Sequence, residues 1–339
     1  MSADTFQAAH TSRFESWLLE RVCKPALARI PTSVHPNSLS LANHLLCWAV
    51  FYLAMVSASL DPVSRAVALA LTGVGMFGTM VLDCLDGMQA RRTQRCSKLG
   101  ELMDHGLDAV HIPLITAGLS LALQLDPWAV IGIHAINAMI YNAQLVLYHR
   151  TGKFELPSIV SGADMQMVSS LLFAVVGIFF YFYPRETPWV GHVVAVACIM
   201  ALYTGLKSLA FYYGRLEWRL GGHLPFMALV AACSALYWVG ALDTLAFTLL
   251  VAFLSFRMTG SFVLHSILGR PYSGLDAGAI VWVAAIAASH VSPPMSLGPT
   301  TLRAVLPYLA CAYLAVRNLS DVARHFDALR PRAQNGASM

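Results

Sequence analysis

Ten stretches of about twenty mostly apolar residues follow one another with short turns between them. Roughly 20 such residues are what a helix needs to cross a bilayer, so this pattern constrains the chain more than any other. The stretches run near residues 39–60, 63–85, 100–125, 128–148, 165–183, 189–214, 224–240, 242–268, 275–291 and 302–319. Turn residues separate them at Asp61-Pro62, Asp126-Pro127, Pro184 to Pro188, Gly221-Gly222 and Pro293-Pro294. Composition agrees: 57% of residues are hydrophobic and only 12% charged, about half the charged share of a soluble domain. A water-soluble enzyme, a disordered chain and a coiled coil are excluded on these grounds. The expected fold is an all-α polytopic membrane bundle of about ten transmembrane helices.

Charge then orients the bundle. With both termini inside, sixteen of the 22 Lys and Arg residues fall in cytoplasmic segments, as the positive-inside rule requires. A net charge of +4 is small and scattered, and nothing in it points to nucleic acid. Before the first span, Phe14, Trp17, Leu18 and Val22 share one helical face, opposite Glu15, Glu20, Arg21 and Lys24. That face predicts an N-terminal interfacial amphipathic helix on the cytoplasmic leaflet. The first 36 residues lack a charged-then-apolar signal-peptide pattern. The seven cysteines are odd in number, lack metal-ligand spacing and read as packing residues.

The division expected is residues 1–36 as the cytoplasmic or interfacial segment and 37–214 as a six-helix catalytic core. Residues 215–322 would supply four further spans, and 323–339 a cytoplasmic tail. Gly73-Val74-Gly75-Met76-Phe77-Gly78 spells a dinucleotide fingerprint, but it lies inside a span without the strand that motif requires. Close helix packing is the better reading. Lys207, Arg257 and His265 are polar groups in or near spans, read equally as ligands or as structural pairs. His111, His134, His192 and His290 read as packing or interfacial residues.

One window breaks the apolar rule. Asp83, Asp86, Glu101, Asp104 and Asp108 place five of the chain's 18 acids where the second span meets the third. Ionised groups at membrane depth are costly unless partnered, and mark function by default. Asp83 and Asp86 are three apart, Asp104 and Asp108 four apart, so each pair projects from one face of its helix. Four convergent carboxylates repel unless cations sit among them. Hard oxygen ligands suit Mg²⁺ or Mn²⁺, and four of them suit two ions. Such a pair of ions can clamp a pyrophosphate during in-line displacement. Gly87 and Ala90 let phosphate approach the backbone, Arg91 can bind it bidentately, and Gly100 permits tight helix packing.

The string Asp83-x2-Asp86-Gly87-x2-Ala90-Arg91-x8-Gly100-x3-Asp104-x3-Asp108 resembles the signature of the CDP-alcohol phosphotransferases, with every position filled. A fuller run, Asp86-Gly-x-Gln-Ala-Arg-Arg-Thr to Leu99-Gly-Glu-Leu-x-Asp-His-Gly-x-Asp108, is similar to the eukaryotic-type choline and ethanolamine phosphotransferases. So are Pro36-Asn37 before the first span, and, more weakly, Thr151-Gly152 through Asp164-x-Gln166. The resemblance implies an enzyme that displaces CMP from a CDP-alcohol with the hydroxyl of a diacylglycerol-type lipid. It also implies Asp83, Asp86 and Asp104 as metal ligands, Asp108 as ligand or general base, and Asn37 among the substrate contacts. Homodimerisation is implied by the resemblance alone.

Glu101 and His105 are also four apart, beside the Asp face. A His near neutrality is a better base for an alcohol than a metal-bound Asp. His105 is therefore the expected base and Glu101 its orienter, with Asp108 as the other candidate. Head-group recognition would want aromatic rings for an ammonium, and Trp48, Tyr141, Tyr148, Tyr212 and Tyr213 are the candidates. Two other functions fit some of these features. One is a CDP-diacylglycerol-dependent transferase with inositol phosphate, glycerol phosphate or serine as acceptor; the other is a divalent-cation or lipid transporter. A transporter predicts two related halves, which the chain does not show. A bacterial inner membrane and an endoplasmic reticulum both fit the topology, and the short termini favour the former.

Overall fold

A computed structural model describes residues 13–151, 162–183, 188–216, 223–270, 272, 274, 276–291, 296–297 and 300–329. Among these, ten long helices occupy the ten apolar stretches. They are α3 (Pro36–Ser57), α4 (Pro62–Arg92), α5 (Lys98–Ala122), α6 (Pro127–Thr151), α7 (Gly162–Phe182) and α8 (Pro188–Arg215). The remainder are α9 (Leu224–Trp238), α10 (Thr244–Ile267), α11 (Ala277–Val291) and α12 (Leu302–Arg324). The chain is an all-α membrane helix bundle. Five helical segments, in α3, α4, α6, α8 and α10, meet the length and apolarity of a membrane crossing by themselves. The strands among the described residues are β1 (Ser296–Leu297) and β2 (Thr300–Thr301), a short antiparallel pair before α12.

The turn chemistry read from the sequence sets the helix starts. Asp61 accepts the amides of Val63 and Ser64 and so caps α4, with Pro62 in the first turn. Asp243 caps α10 through Ala246. Ser97 caps α5 by accepting from Gly100. Between α4 and α5 the chain reverses in five residues: Arg95 N–H bonds Ala90 C=O, and Gln94 takes a left-handed φ of 55°. This tight turn is what sets the end of α4 against the start of α5.

Before α3, α1 (Arg13–Leu18) and α2 (Lys24–Arg29) join through a π-helical turn at Leu19–Cys23. Pro25 follows that turn and removes the amide that would continue an α-helical ladder through it. The expected amphipathic face has a protein partner: Leu18 and Cys23 are buried with Met80 and Leu85 of α4, and Phe14 and Val22 pack against them. Trp17 stays exposed. Gln89 and Arg92, at the end of α4, hold the following linker. Gln89 Nε2 donates to Pro31 O at 3.0 Å and Val34 O at 2.8 Å. Arg92 donates to Leu27 O and Ile30 O, and to Gln89 Oε1, each at 2.6 Å. The Arg92 guanidinium is thus taken up by two backbone carbonyls and the Gln89 side chain.

The glycine string in α4 is a packing surface, as expected. A Cβ at Gly73 would collide with Ser170 O of α7, and one at Gly75 with Val50 of α3. These close approaches clasp α4 between α3 and α7. On the other side of the bundle, α5 packs on α10, where Phe256 lies 3.5 Å from the position a Cβ on Gly106 would take. Arg257 of α10 is buried and makes the structural pair that was one of its two readings. Its Nε meets Asp276 at 2.6 Å and its Nη1 meets Asp321 at 2.7 Å and Asn318 Oδ1 at 3.0 Å. That knot ties α10 to α12 and to the start of α11. Lys207 lies over the Tyr203 ring at 5.5 Å, and His134 is satisfied by Val130 O and Thr248. The echo from Thr151-Gly152 to Asp164 falls largely outside the described residues.

Candidate active site

Asp83 stands in the last third of α4, and Asp104 and Asp108 stand in the first half of α5. One carboxylate oxygen from each of the three lies within 4.8 Å of the others. Oxygens ligating one divalent ion at 2.0–2.6 Å are held at separations of this order. Asp86 is outside that close set: its Oδ2 accepts the Ser40 hydroxyl at 2.6 Å, and its charge still acts on Asp83. Asn43 adds a neutral oxygen, since its Nδ2 approaches Asp83 Oδ1 at 3.5 Å while its Oδ1 is buried without a hydrogen-bond partner among the described residues. The donors are all hard oxygens. The set fits Mg²⁺ or Mn²⁺ and offers nothing to a thiophilic ion.

Arg91 lies one turn beyond Asp86 and Gly87. A Cβ on Gly87 would stand 3.4 Å from its guanidinium, so the glycine leaves room for that group to fold back along α4. Arg91 is exposed, and its charge reaches Asp104 and Asp86. Ala90 is half-buried beside it. At the opposite lip, a Cβ on Gly100 would come 3.5 Å from Asn37 Oδ1, so the starts of α3 and α5 nearly touch. Glu101 is half-buried in the first turn of α5. The site residues expected from the sequence thus gather at one end of α3, α4 and α5.

His105 is buried on α5, with its ring edge against Tyr148 of α6 at 5.6 Å between centroids. Tyr141 donates its hydroxyl to the His105 carbonyl at 2.7 Å. Of the five aromatic candidates, Tyr141 and Tyr148 therefore both lie against His105. Tyr212 and Tyr213 pack with Ala143 and Leu147 in a separate cluster.

A file of polar groups leads away from Asp108. Trp48 Nε1 donates to His44 Nε2 at 3.0 Å, His44 Nδ1 meets His111 Nε2 at 2.9 Å, and His111 Nδ1 lies 3.6 Å from Asp108 Oδ1. An indole N–H can only donate. With both rings neutral, His44 then carries its proton on Nδ1 and gives it to His111 Nε2. The His111 proton is left on Nδ1, facing Asp108. His111, read from sequence as packing, is buried and stacks on His44, and it also faces Asp108. Ser40, Asn43 and His44 were missed, yet they carried a signal: with Trp48 they recur at i, i+3, i+4 and i+8 within an apolar span. Leu41, Leu45 and Tyr52, on other faces of α3, are exposed.

The profile of the family described as CDP-alcohol phosphatidyltransferase matches residues 33–203, half of the chain, including every residue of this site. The chain belongs to that family. Curated relatives are named cholinephosphotransferase 1. The protein of Gallus gallus is 32% identical over 121 residues, 35% of this chain and 36% of its own. That of Homo sapiens is 38% identical over 101 residues, 29% and 25% of the two chains, and that of Bos taurus 47% over 55 residues, 16% and 14%. The matched region thus spans about a third or less of these relatives' length.

Proposed function

We propose that the protein transfers a phospho-amino-alcohol, phosphoethanolamine or phosphocholine, from a CDP-alcohol to the hydroxyl of diacylglycerol. The products are a phospholipid and CMP. The convergence of Asp83, Asp104 and Asp108 beside Arg91 at the basic, cytosolic end of the bundle carries this reading. The similarity to cholinephosphotransferases supports it. Asp83, Asp104 and Asp108 would hold Mg²⁺ or Mn²⁺, with Asp86 and Asn43 serving a second ion; bound there, the metal would neutralise pyrophosphate charge.

The chain's own residues do the rest. Arg91 binds the diphosphate, and Gly87 keeps the space in which it does so. Asn37 and Gly100 form the lip against the nucleotide. The lipid oxygen attacks the β-phosphorus, forming one P–O bond as the bond to the bridging oxygen breaks, and CMP leaves with that electron pair. The hydroxyl proton passes to a ring nitrogen of His105, which Glu101 orients from one turn away. Asp108 is engaged with the cluster and with His111, which favours His105 as the base. Tyr148, beside His105, is the ring an ammonium head group would meet. A homodimer in the membrane completes the proposal.

Purified full-length protein, given diacylglycerol and a panel of CDP-alcohols with and without Mg²⁺, should release CMP. Folded protein that releases none from any pairing would overturn the reading. Release only from CDP-diacylglycerol with a polar acceptor would replace it by the other transferase reaction. His105→Ala should lower turnover by about 10²–10⁴-fold at saturating substrate, the range of a general base.

A further inference from the structure

The cytosolic ends of α6, α9 and α10 enclose a cavity of about 310 Å³ that the aspartate site does not use. Its polar lining is Arg150 at the end of α6, Arg270 after α10, the buried Asn142, and His223 at the start of α9, with Phe262 and Tyr272 as aromatic walls. The volume is within the range of small-molecule sites.

Helix geometry sets this cavity apart from the aspartates. Tyr141 and Tyr148 point from α6 toward His105 on α5. Asn142, Val146 and Arg150 lie about 100–180° further round the same helix. They face α9 and α10 instead.

Two features of the cavity are unbalanced. Arg150 and Arg270 form no ion pair with a carboxylate among the described residues; Arg270 touches His325 Nε2 at 3.3 Å, an acceptor that leaves most of its donors free. His223 is 4% exposed, and its Nδ1 is buried without a hydrogen-bond partner among the described residues. A buried polar nitrogen left unpaired is destabilising, and two guanidinium groups at the rim of one low-dielectric cavity repel each other. A single anion satisfies all three. The location narrows its chemistry: both arginines sit at the cytosolic interface, the level of lipid phosphates, where basic pockets between helices hold anionic head groups. Arginine forks match phosphate oxygens in pairs.

We infer that this cavity is a binding site for a phosphate-bearing anion, distinct from the aspartate site, with Arg150, Arg270 and His223 as its ligands. The phosphate could be a lipid head group or a soluble one, and the two sources separate by experiment. Full-length protein in detergent is titrated with dioleoylphosphatidylglycerol, or with inorganic phosphate, against chloride at equal ionic strength, and its thermal midpoint is followed. The wild type should be stabilised by at least one phosphate probe. Arg150→Gln with Arg270→Gln should weaken that binding by about tenfold or more, as loss of charge-assisted bonds implies. His223→Phe, which keeps a ring and removes Nδ1, should weaken it several-fold.

A response to the lipid alone identifies a head-group site, and a response to inorganic phosphate a soluble anion site; either sustains the inference. No stabilisation of the wild type by either probe, or equal stabilisation in the double variant, overturns it. If the double variant does not fold, Arg150→Gln and Arg270→Gln singly carry the same comparison. CMP release plays no part in this readout, so failure here and failure of the transferase reading are independent.

Discussion

Two sets of charges are buried in this bundle, and they are built in opposite ways. Around Arg257 the chain supplies both signs: one guanidinium, two carboxylates and the Asn318 oxygen, all within 3.0 Å. Around Asp83, Asp104 and Asp108 it supplies one sign, with an orphaned Asn43 oxygen beside them and Arg91 exposed at the edge. The first set is balanced by its own chain and fastens three helices. The second is balanced only by something that binds. In a low-dielectric interior, where charge without a partner is costly, the unbalanced set is where chemistry belongs.

That contrast can be broken by experiment. The largest effect expected is at the unbalanced set: Asp104→Asn should reduce CMP release by more than about 10³-fold, in line with loss of a metal-ion clamp worth several kcal/mol. The protein should stay folded and lose the thermal stabilisation that Mg²⁺ gives the wild type. Retained turnover in that variant would place the metal elsewhere. At the balanced set the same kind of change should act on stability. Arg257→Gln strands two carboxylates and should cost about 3–5 kcal/mol, the usual penalty for breaking a buried pair. Thermal unfolding would measure it, and molecules still folded should turn over near normally; a large loss of turnover per folded molecule would make Arg257 part of the site. The smallest effect is expected in the file behind Asp108. His111→Phe removes the group facing that carboxylate and should lower turnover or Mg²⁺ affinity by about 10–100-fold, as outer partners of metal ligands do. Loss of stability with unchanged turnover and Mg²⁺ affinity would return His111 to packing.

Much of this was legible beforehand, for identifiable reasons. The ten helices followed from apolar length and turn residues, since a bilayer-spanning helix must be continuous and its ends need caps such as Asp61 and Asp243. The pairs Asp83/Asp86 and Asp104/Asp108 could be placed on single faces because i+3 and i+4 spacing is local. Gly73 was readable as packing because no strand precedes it. The file through His111 was not legible, because its partner, His44, lies 67 residues away. The carbonyls that Arg92 holds, Leu27 O and Ile30 O, likewise belong to a segment over 60 residues earlier.

By itself, then, the sequence determined the membrane bundle and which four aspartates share two helical faces, because both depend on local period and residue type. Tertiary structure alone decided that Asp86 turns to Ser40 while Asp83 joins Asp104 and Asp108. It also decided that a Trp–His–His file backs Asp108, that Arg257 is neutralised from within, and that Arg150, Arg270 and His223 line one cavity. Each of those outcomes pairs groups that are far apart in the chain. Only close packing, with the cost of leaving a buried polar group unmatched, selects such partners.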